Sequence, residues 1–513
     1  MLVVILLVLG LPLAAAVVSL RVPAAAAQAI TAIAGIACFG LVLALIPAAS
    51  HHDLEYLSYL RIDAVSAVFL LATSFLYAAV AIYCVGYLAR SRSEAGFSRY
   101  SRRFYAGMNL FAWTMLAAPM MSNLALLWIA VEVTTVISAL LVAIENTDGA
   151  AEAAWKYILI ASAGLGLALL ATIFAYYAGS QVLGEHYDLS FVPLLQAGPR
   201  LPHGVIRLAF ALAVLGYGTK MGLFPVHTWL PDAHSEAPTP VSALLSGSLL
   251  AVSFYAILRY YQVATAAVGP RFPRDTLLVF GIASLLLAAL YLLDQRDVKR
   301  MLAYSSVEHM GILAVGVSFG APIALAGVLL HVLAHAAAKG NAFMGAGVLV
   351  HKFGSKRMSS IGGGLDLLPW SGPLFLIAVL ALCAMPPFGI FRSEFEIVEG
   401  GFGASSNAAA AVLIVLVTVA FLGLTVAANR MLFTPRPVTD SAGSSGSVLT
   451  RGEPSAWMVV PVIAGVAALL VLGVHPPAEL TGLFRAEAPL PGRSRSGSPS
   501  KPAARRHPGA GSR

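Results

Sequence analysis

The chain has 513 residues, 59% hydrophobic and 11% charged, with a formal net charge of +8, and its mean hydropathy is +0.83. A soluble domain carries roughly 25% charged residues, so this composition excludes a soluble enzyme and describes a polytopic membrane protein. The basic balance does not argue for a nucleic-acid partner, because much of it lies in loops and the tail, where Lys and Arg set membrane topology.

At about 20 apolar residues per crossing, fourteen spans are predicted. They fall over 2–20, 24–47, 62–88, 104–121, 123–144, 153–178, 204–226, 238–262, 275–293, 302–319, 322–350, 372–392, 407–433 and 455–474. The first is read as a retained span, since no basic segment precedes it. The run over 322–350 is too long for one straight crossing and is expected to tilt or break. Cys38, Cys84 and Cys383 all fall in spans, without metal spacing or a pairing pattern, which excludes an iron–sulfur cluster held by this chain alone.

An even count puts both termini on one side. Arg90, Arg92, Arg99, Arg102 and Arg103 are read as a basic loop after the third span, on the same side as the loops holding Arg296, Lys299, Arg300 and Lys352, Lys356, Arg357. The positive-inside rule then places these loops in the cytoplasm and the termini outside, in a cell (plasma) membrane protein. The tail, 486–513, and the linker, 438–455, are compositionally disordered, and the tail is basic.

Ionisable residues inside apolar segments mark ion pathways or proton relays. Glu132 sits in Leu126-Leu-Trp-Ile-Ala-Val-Glu132-Val-Thr-Thr, where a carboxylate must be protonated or paired. Its natural partner is Lys220, in Lys220-Met-Gly-Leu-Phe-Pro225-Val-His-Thr-Trp-Leu-Pro231-Asp232. Gly216, Gly218, Gly222 and Pro225 predict a helix broken at that lysine, the kind of element that binds ions in transporters. His331, His335 and Lys339 recur every four residues and so share one helix face, the layout of a proton wire rather than of a haem site. Glu394 follows Ala384-Met-Pro386-Pro387-Phe-Gly389, a second predicted break; with Arg392 and Glu396 nearby, it reads alternatively as part of a solvated helix end. Lys156 beside Trp155 is a relay member or an interfacial anchor. Asp232, His234 and Glu236 lie between prolines and are read as an interfacial segment, with His227 where water enters. The cluster from Asp294 to Arg300 reads as a charged cytoplasmic turn, and Glu308 and His309 lie deeper.

At these residues the chain resembles the antiporter-like membrane subunits of complex I and the Mrp-type cation/proton antiporters. The resemblance rests on Phe224-Pro-Val-His-Thr-Trp-Leu-Pro-Asp232, Ala237-Pro-Thr-Pro-Val-Ser-Ala-Leu-Leu245, Lys299-Arg-Met-Leu-Ala-Tyr-Ser-Ser306, His335 with Lys339, and Pro386-Pro-Phe-Gly389. The versions Asp232-Ala-His-Ser-Glu-Ala-Pro238 and Ser305-Ser-Val-Glu-His-Met-Gly311 are most similar to the hydrogenase-4 component F type, found in group 4 hydrogenase and formate hydrogenlyase complexes.

The resemblance implies an all-α polytopic protein of about fourteen transmembrane helices. It would hold N-terminal helices over 1–103, two inverted five-helix repeats over 104–262 and 275–433, each with one broken helix, and a C-terminal helix over 455–474. It implies that protons move through Glu132, Lys220, His335, Lys339 and Glu394; the reading of the residues themselves adds His331 to this path and Lys156, His227, Asp232, Glu308 and His309 as possible accessories. One departure stands out. Relatives often carry a lysine or histidine in the eighth span, whereas 238–258 offers only Ser242, Ser246, Ser248 and Ser253; water chains held by these hydroxyls are the expected substitute.

The implied function is a proton-translocating membrane subunit of a redox-driven complex, of hydrogenase-4/formate hydrogenlyase or NADH-quinone oxidoreductase type. Its partners would be other membrane subunits and peripheral redox subunits. No cofactor or metal and no redox chemistry are expected in this chain, which shows no nucleotide, flavin or cluster motif. Two alternatives stand beside it: a component of an Mrp-type Na+/H+ antiporter, and a non-conducting membrane scaffold for peripheral enzymes.

Overall fold

The computed structural model describes residues 1–89, 96–435 and 450–486. The expectations for Arg90 and Arg92, for most of the 438–455 linker and for the tail beyond 486 fall outside these residues. The described chain is almost wholly helical, as a bilayer demands, because a helix satisfies its backbone hydrogen bonds within itself.

The helices are α1 (Leu2–Ser19), α2 (Ala24–His51), α3 (Ala64–Tyr87), α4 (Phe97–Ala117), α5 (Leu124–Val142), α6 (Asp148–Leu183), α7 (Phe191–Ala197), α8 (His203–Met221), α9 (Trp229–Glu236) and α10 (Thr239–Leu244). They continue as α11 (Leu250–Val268), α12 (Arg271–Leu292), α13 (Val298–Phe319), α14 (Pro322–Phe353), α15 (Gly364–Leu367), α16 (Ser371–Leu382), α17 (Gly389–Gly403), α18 (Asn407–Leu432), α19 (Ala456–Val474) and α20 (Ala478–Ala486). A small antiparallel hairpin, β1 (Leu54–Tyr56) with β2 (Leu60–Ile62), caps the α2–α3 connection.

Polar residues set the helix starts by accepting from orphan backbone N–H groups. Asp63 accepts from Ser66 N before α3. Asn123 accepts from Ala125 N and Leu126 N before α5. Asp297 accepts from Lys299 N and Arg300 N before α13.

Among the described residues, 12 helices are long and apolar enough to cross a membrane, with α10 and α11 counted as one through the π-helical turn Leu245–Leu249. The two remaining predicted segments hold α4, whose first turns are polar, and the interrupted pair α16–α17. One expectation needs correction: Arg99, Arg102 and Arg103 are not in a loop but on the first two turns of α4. Of the two alternatives for the 322–350 run, the break is absent: α14 is one helix of 32 residues, about 48 Å long at ~1.5 Å per residue, so it must tilt or project.

The expected breaks are present. α8 stops at Met221 because Gly222 takes φ +87°, and the chain stays non-helical until α9. α16 stops at Leu382, and α17 resumes at Gly389 after the double proline. The α10–α11 span and α13 are completely interior, whereas only 28% of the α18 window is buried. Of the candidate ionisable residues, Glu308 and His309 lie on the fully interior α13, whereas Glu132 and Lys220 lie on the less buried α5 and α8.

Glycines let these helices approach closely. A side chain at Gly216 of α8 would meet the Ala168 backbone nitrogen of α6 at 2.5 Å, and one at Gly465 of α19 would run into Asn341 Oδ1 of α14.

Candidate functional site

Lys220, in the last turn of α8, is fully buried. Its ammonium donates to Thr135 Oγ1 of α5 at 2.8 Å and to the Tyr157 hydroxyl of α6. Ser138 Oγ lies 2.7 Å from that hydroxyl and donates to the Thr134 carbonyl, so the Tyr157 hydroxyl donates its hydrogen bond to Ser138 Oγ. The expected pairing with Glu132 is not formed. Glu132, half-buried on α5, accepts from Ser162 Oγ at 3.3 Å, and its Oε2 has no partner. The difference has an electrostatic origin. Thr135, one turn beyond Glu132, and Tyr157 both reach the ammonium, and neutral oxygens meet a buried cation without desolvating a second charge.

The Tyr157 ring stacks on Trp229 of α9, centroid to centroid 4.4 Å, and Trp229 Nε1 donates to the Thr219 carbonyl. Beyond Trp229 stands His234. Its ring lies 6.5 Å from that of Trp229 and 5.4 Å from that of Phe343, one turn beyond Lys339 on α14. His234 is completely buried, both ring nitrogens lack partners, and the charges of Lys299 and Lys339 reach it. The interfacial reading of this segment is therefore wrong for His234. It also places an imidazole between the Lys220 turn and α14, where the eighth span supplies no cation. The eighth-span serines are engaged within the protein: Ser242 with the His234 carbonyl, Ser246 with Ser306, Ser248 with Thr73, and Ser253 with the Leu249 carbonyl.

Lys339 is also fully buried and donates to the Leu302 carbonyl of α13 at 3.1 Å. Among the described residues neither it nor Lys220 forms an ion pair. Glu308 of α13 is buried with Oε2 unpartnered, close enough for Lys339 to act on its charge. His335 and His331 continue the Lys339 face, as the spacing predicts, and His309 of α13 packs against both, at 5.2 and 5.1 Å between ring centroids.

A chain of hydrogen bonds fixes the histidine tautomers. Ser393 Oγ donates to the Ile390 carbonyl, so it accepts from His331 Nδ1 at 2.9 Å. His331 Nε2 then bears its lone pair and accepts from His309 Nδ1 at 3.1 Å. Glu394 stands beside Ser393 on α17, buried, with Oε1 unpartnered. Arg392 and Glu396 pair with each other at 3.0 Å and not with Glu394. A cleft of about 330 Å³, lined by Leu330, Arg392, Glu396 and Phe484 among others, opens beside it.

The accessory candidates divide. Glu308 and His309 belong to the buried line. His227 is buried, with Nδ1 unpartnered, near Tyr304. Lys156 is half-exposed and binds Glu152 at 2.6 Å and Asp232 at 3.3 Å; Asp232 also binds Arg300 at 2.6 Å. These form a surface network outside the line. Lys299, read as part of a charged turn, is buried and donates to the Ser235 and Ala237 carbonyls.

Comparison with known proteins bears on this arrangement. A family model described as NADH:quinone oxidoreductase/Mrp antiporter, TM, matches residues 121–422. A hydrogenase-4 component F homolog of Methylacidiphilum infernorum is 35% identical over 363 residues, covering 70% of this chain and 76% of that protein. NADH-quinone oxidoreductase subunit N of Desulforudis audaxviator is 32% identical over 424 residues, covering 81% of each. A chain in the structure of the Mrp complex from Dietzia sp. DQ12-45-1b shares the fold, with a TM-score of 0.80 at 21% identity over 95% of this chain and 97% of that one.

Proposed function

The chain belongs to the NADH:quinone oxidoreductase/Mrp antiporter transmembrane family, and from that premise we propose that it is a proton-translocating membrane subunit of a redox-driven complex of hydrogenase-4 or NADH-quinone oxidoreductase type. One observation carries the reading. Two lysines, Lys220 and Lys339, are fully buried and held only by hydroxyl and carbonyl oxygens. A fixed charge at membrane depth is costly and is retained for function, and neutral acceptors suit a group that gains and loses a proton.

In this reading a proton reaches Lys220 through the Glu132 side and crosses by way of His234 to Lys339. It continues over His335, His309 and His331 to Glu394. Water fills the gaps beside the unpartnered nitrogens of His234 and His335. Glu132 on α5 and Glu308 on α13 hold matching places before long helices, α6 and α14. Each long helix precedes a broken element, α8–α9 or α16–α17. This order supports two five-helix repeats over 104–262 and 275–433, following the N-terminal helices over 1–103 and preceding the C-terminal helix over 455–474. The basic residues of the α12–α13 and α14–α15 connections support a plasma-membrane orientation with both termini outside. The partners are further membrane subunits and peripheral subunits that carry the redox centres.

The test is proton uptake by vesicles containing the purified complex, reported by a pH-sensitive dye. Lys220→Ala and Lys339→Ala complexes should assemble and lose uptake. Assembled variants that pump at the normal rate would refute the reading and leave a scaffold role. Uptake of labelled Na+ coupled to proton exit, without electron transfer, would replace it with Na+/H+ antiport.

A further inference from the structure

His309, His331 and Glu394 come from three helices, α13, α14 and α17. Each offers a ligand atom within 4.8 Å of the other two. The two imidazoles face each other through His309 Nδ1 and His331 Nε2, 3.1 Å apart. Two nitrogens bound to one tetrahedral zinc at about 2.0 Å each stand about 3.3 Å apart, so the histidines already hold a metal-like separation. The Glu394 carboxylate lies within 4.8 Å of both nitrogens, and its Oε1 has no competing partner. His331 is oriented from behind by Ser393 Oγ, the support that metal-binding histidines receive through their second nitrogen.

We propose that His309, His331 and Glu394 form a divalent transition-metal site that binds Zn2+ and, in doing so, blocks the line. The metal takes the position of the proton held between the two imidazoles. His309 binds through Nδ1 after its proton moves to Nε2, which has no partner to lose. His331 binds through the lone pair already on Nε2. Glu394 binds as the carboxylate, releasing a proton if it starts neutral, and water supplies the fourth ligand. Two imidazoles with one carboxylate favour Zn2+, Co2+ or Ni2+ over Mg2+ and Ca2+, which want oxygen ligands. The cleft lined by Leu330, Arg392 and Glu396 borders the chain neighbours of His331 and Glu394.

Binding stands on geometry alone; only the blocking effect rests on the proton-path reading. The experiment uses the complex with full-length chain, stripped with a chelator, in a His51→Gln/His52→Gln background that removes an exposed histidine pair. Bound Zn2+ is counted after buffer exchange, and Co2+ is followed by its absorption bands. One metal per chain with a tetrahedral Co2+ spectrum is expected. His309→Gln and Glu394→Gln should abolish the spectrum, and Ser393→Ala, which leaves all three ligands, should weaken binding about 10-fold. No stoichiometric metal, or unchanged affinity in all three variants, overturns the site. In vesicles, Zn2+ should stop proton uptake by the parent complex. Metal bound at the site with uptake unaffected overturns the block, metal bound with no uptake at any time overturns the functional reading alone, and uptake without metal binding overturns the site alone.

Discussion

The Tyr157 ring and hydroxyl both serve Lys220: the ammonium donates to the oxygen and lies 4.6 Å from the ring centroid. Tyr157→Phe keeps the ring and its stack on Trp229 but removes the acceptor. The buried ammonium is left with Thr135, a loss of about 1–3 kcal/mol, so proton uptake should fall on the order of tenfold while assembly is unchanged. Uptake at the parent rate would show that Tyr157 is packing only.

His234 separates function from structure unusually well. Phenylalanine in its place preserves contact with Trp229 and Phe343 and removes two nitrogens that have no partners. His234→Phe should leave thermal stability within about 1 kcal/mol of the parent. Uptake should drop to that of Lys339→Ala. A stable variant that pumps normally removes His234 from the path.

Asp63 and Arg259 form a buried pair at 2.6 Å joining α3 to α11. Removing one partner of such a pair costs about 3–5 kcal/mol, so Arg259→Met should lower the unfolding temperature sharply, read by dye binding in detergent. Burial alone would raise the Asp63 carboxyl, but the Arg259 guanidinium, the Ser66 N–H and Arg61 outweigh it and hold it at about 2, below its ordinary 3.8. The stabilisation is then full above the ordinary value and disappears as pH falls through about 2. A parent protein whose unfolding temperature is flat between about pH 4 and pH 2 would contradict this.

Gly216 tests whether the position of Lys220 depends on helix contact. A side chain there would meet Ala168 N at 2.5 Å and the Gly164 carbonyl at 2.8 Å, so Gly216→Val must push α8 off α6. A cost of about 1–3 kcal/mol and a loss of uptake are expected. Gly166→Val, where nothing lies within 4 Å, should be silent in both measurements.

The breaks were legible because glycine and proline act locally: Gly222 and the Pro386-Pro387 pair end helices whatever surrounds them. Buried charges were legible because a lysine or glutamate among apolar residues is conspicuous. What stayed hidden depends on distant neighbours. His234 sits in a proline-rich polar stretch that reads as interface, and only Phe343 and Lys299 from later helices make it interior. Tyr157 carries no charge, so nothing in the chain marks it as the holder of Lys220. Lys299 reads as part of a loop because its acceptors, the carbonyls of Ser235 and Ala237, lie some sixty residues earlier.

Helix α19 touches the line at two places through glycine. Gly465 rests on Asn341, two residues past Lys339, and Gly473 rests on the Pro387 carbonyl, just ahead of Glu394. Tightly filled contacts shift as blocks rather than yielding gradually. α19 therefore works as a tie rod: sliding it along its axis drags on the central lysine's helix and on the hinge of the final carboxylate together. A neighbouring subunit that grips this partly exposed helix holds a single lever on both.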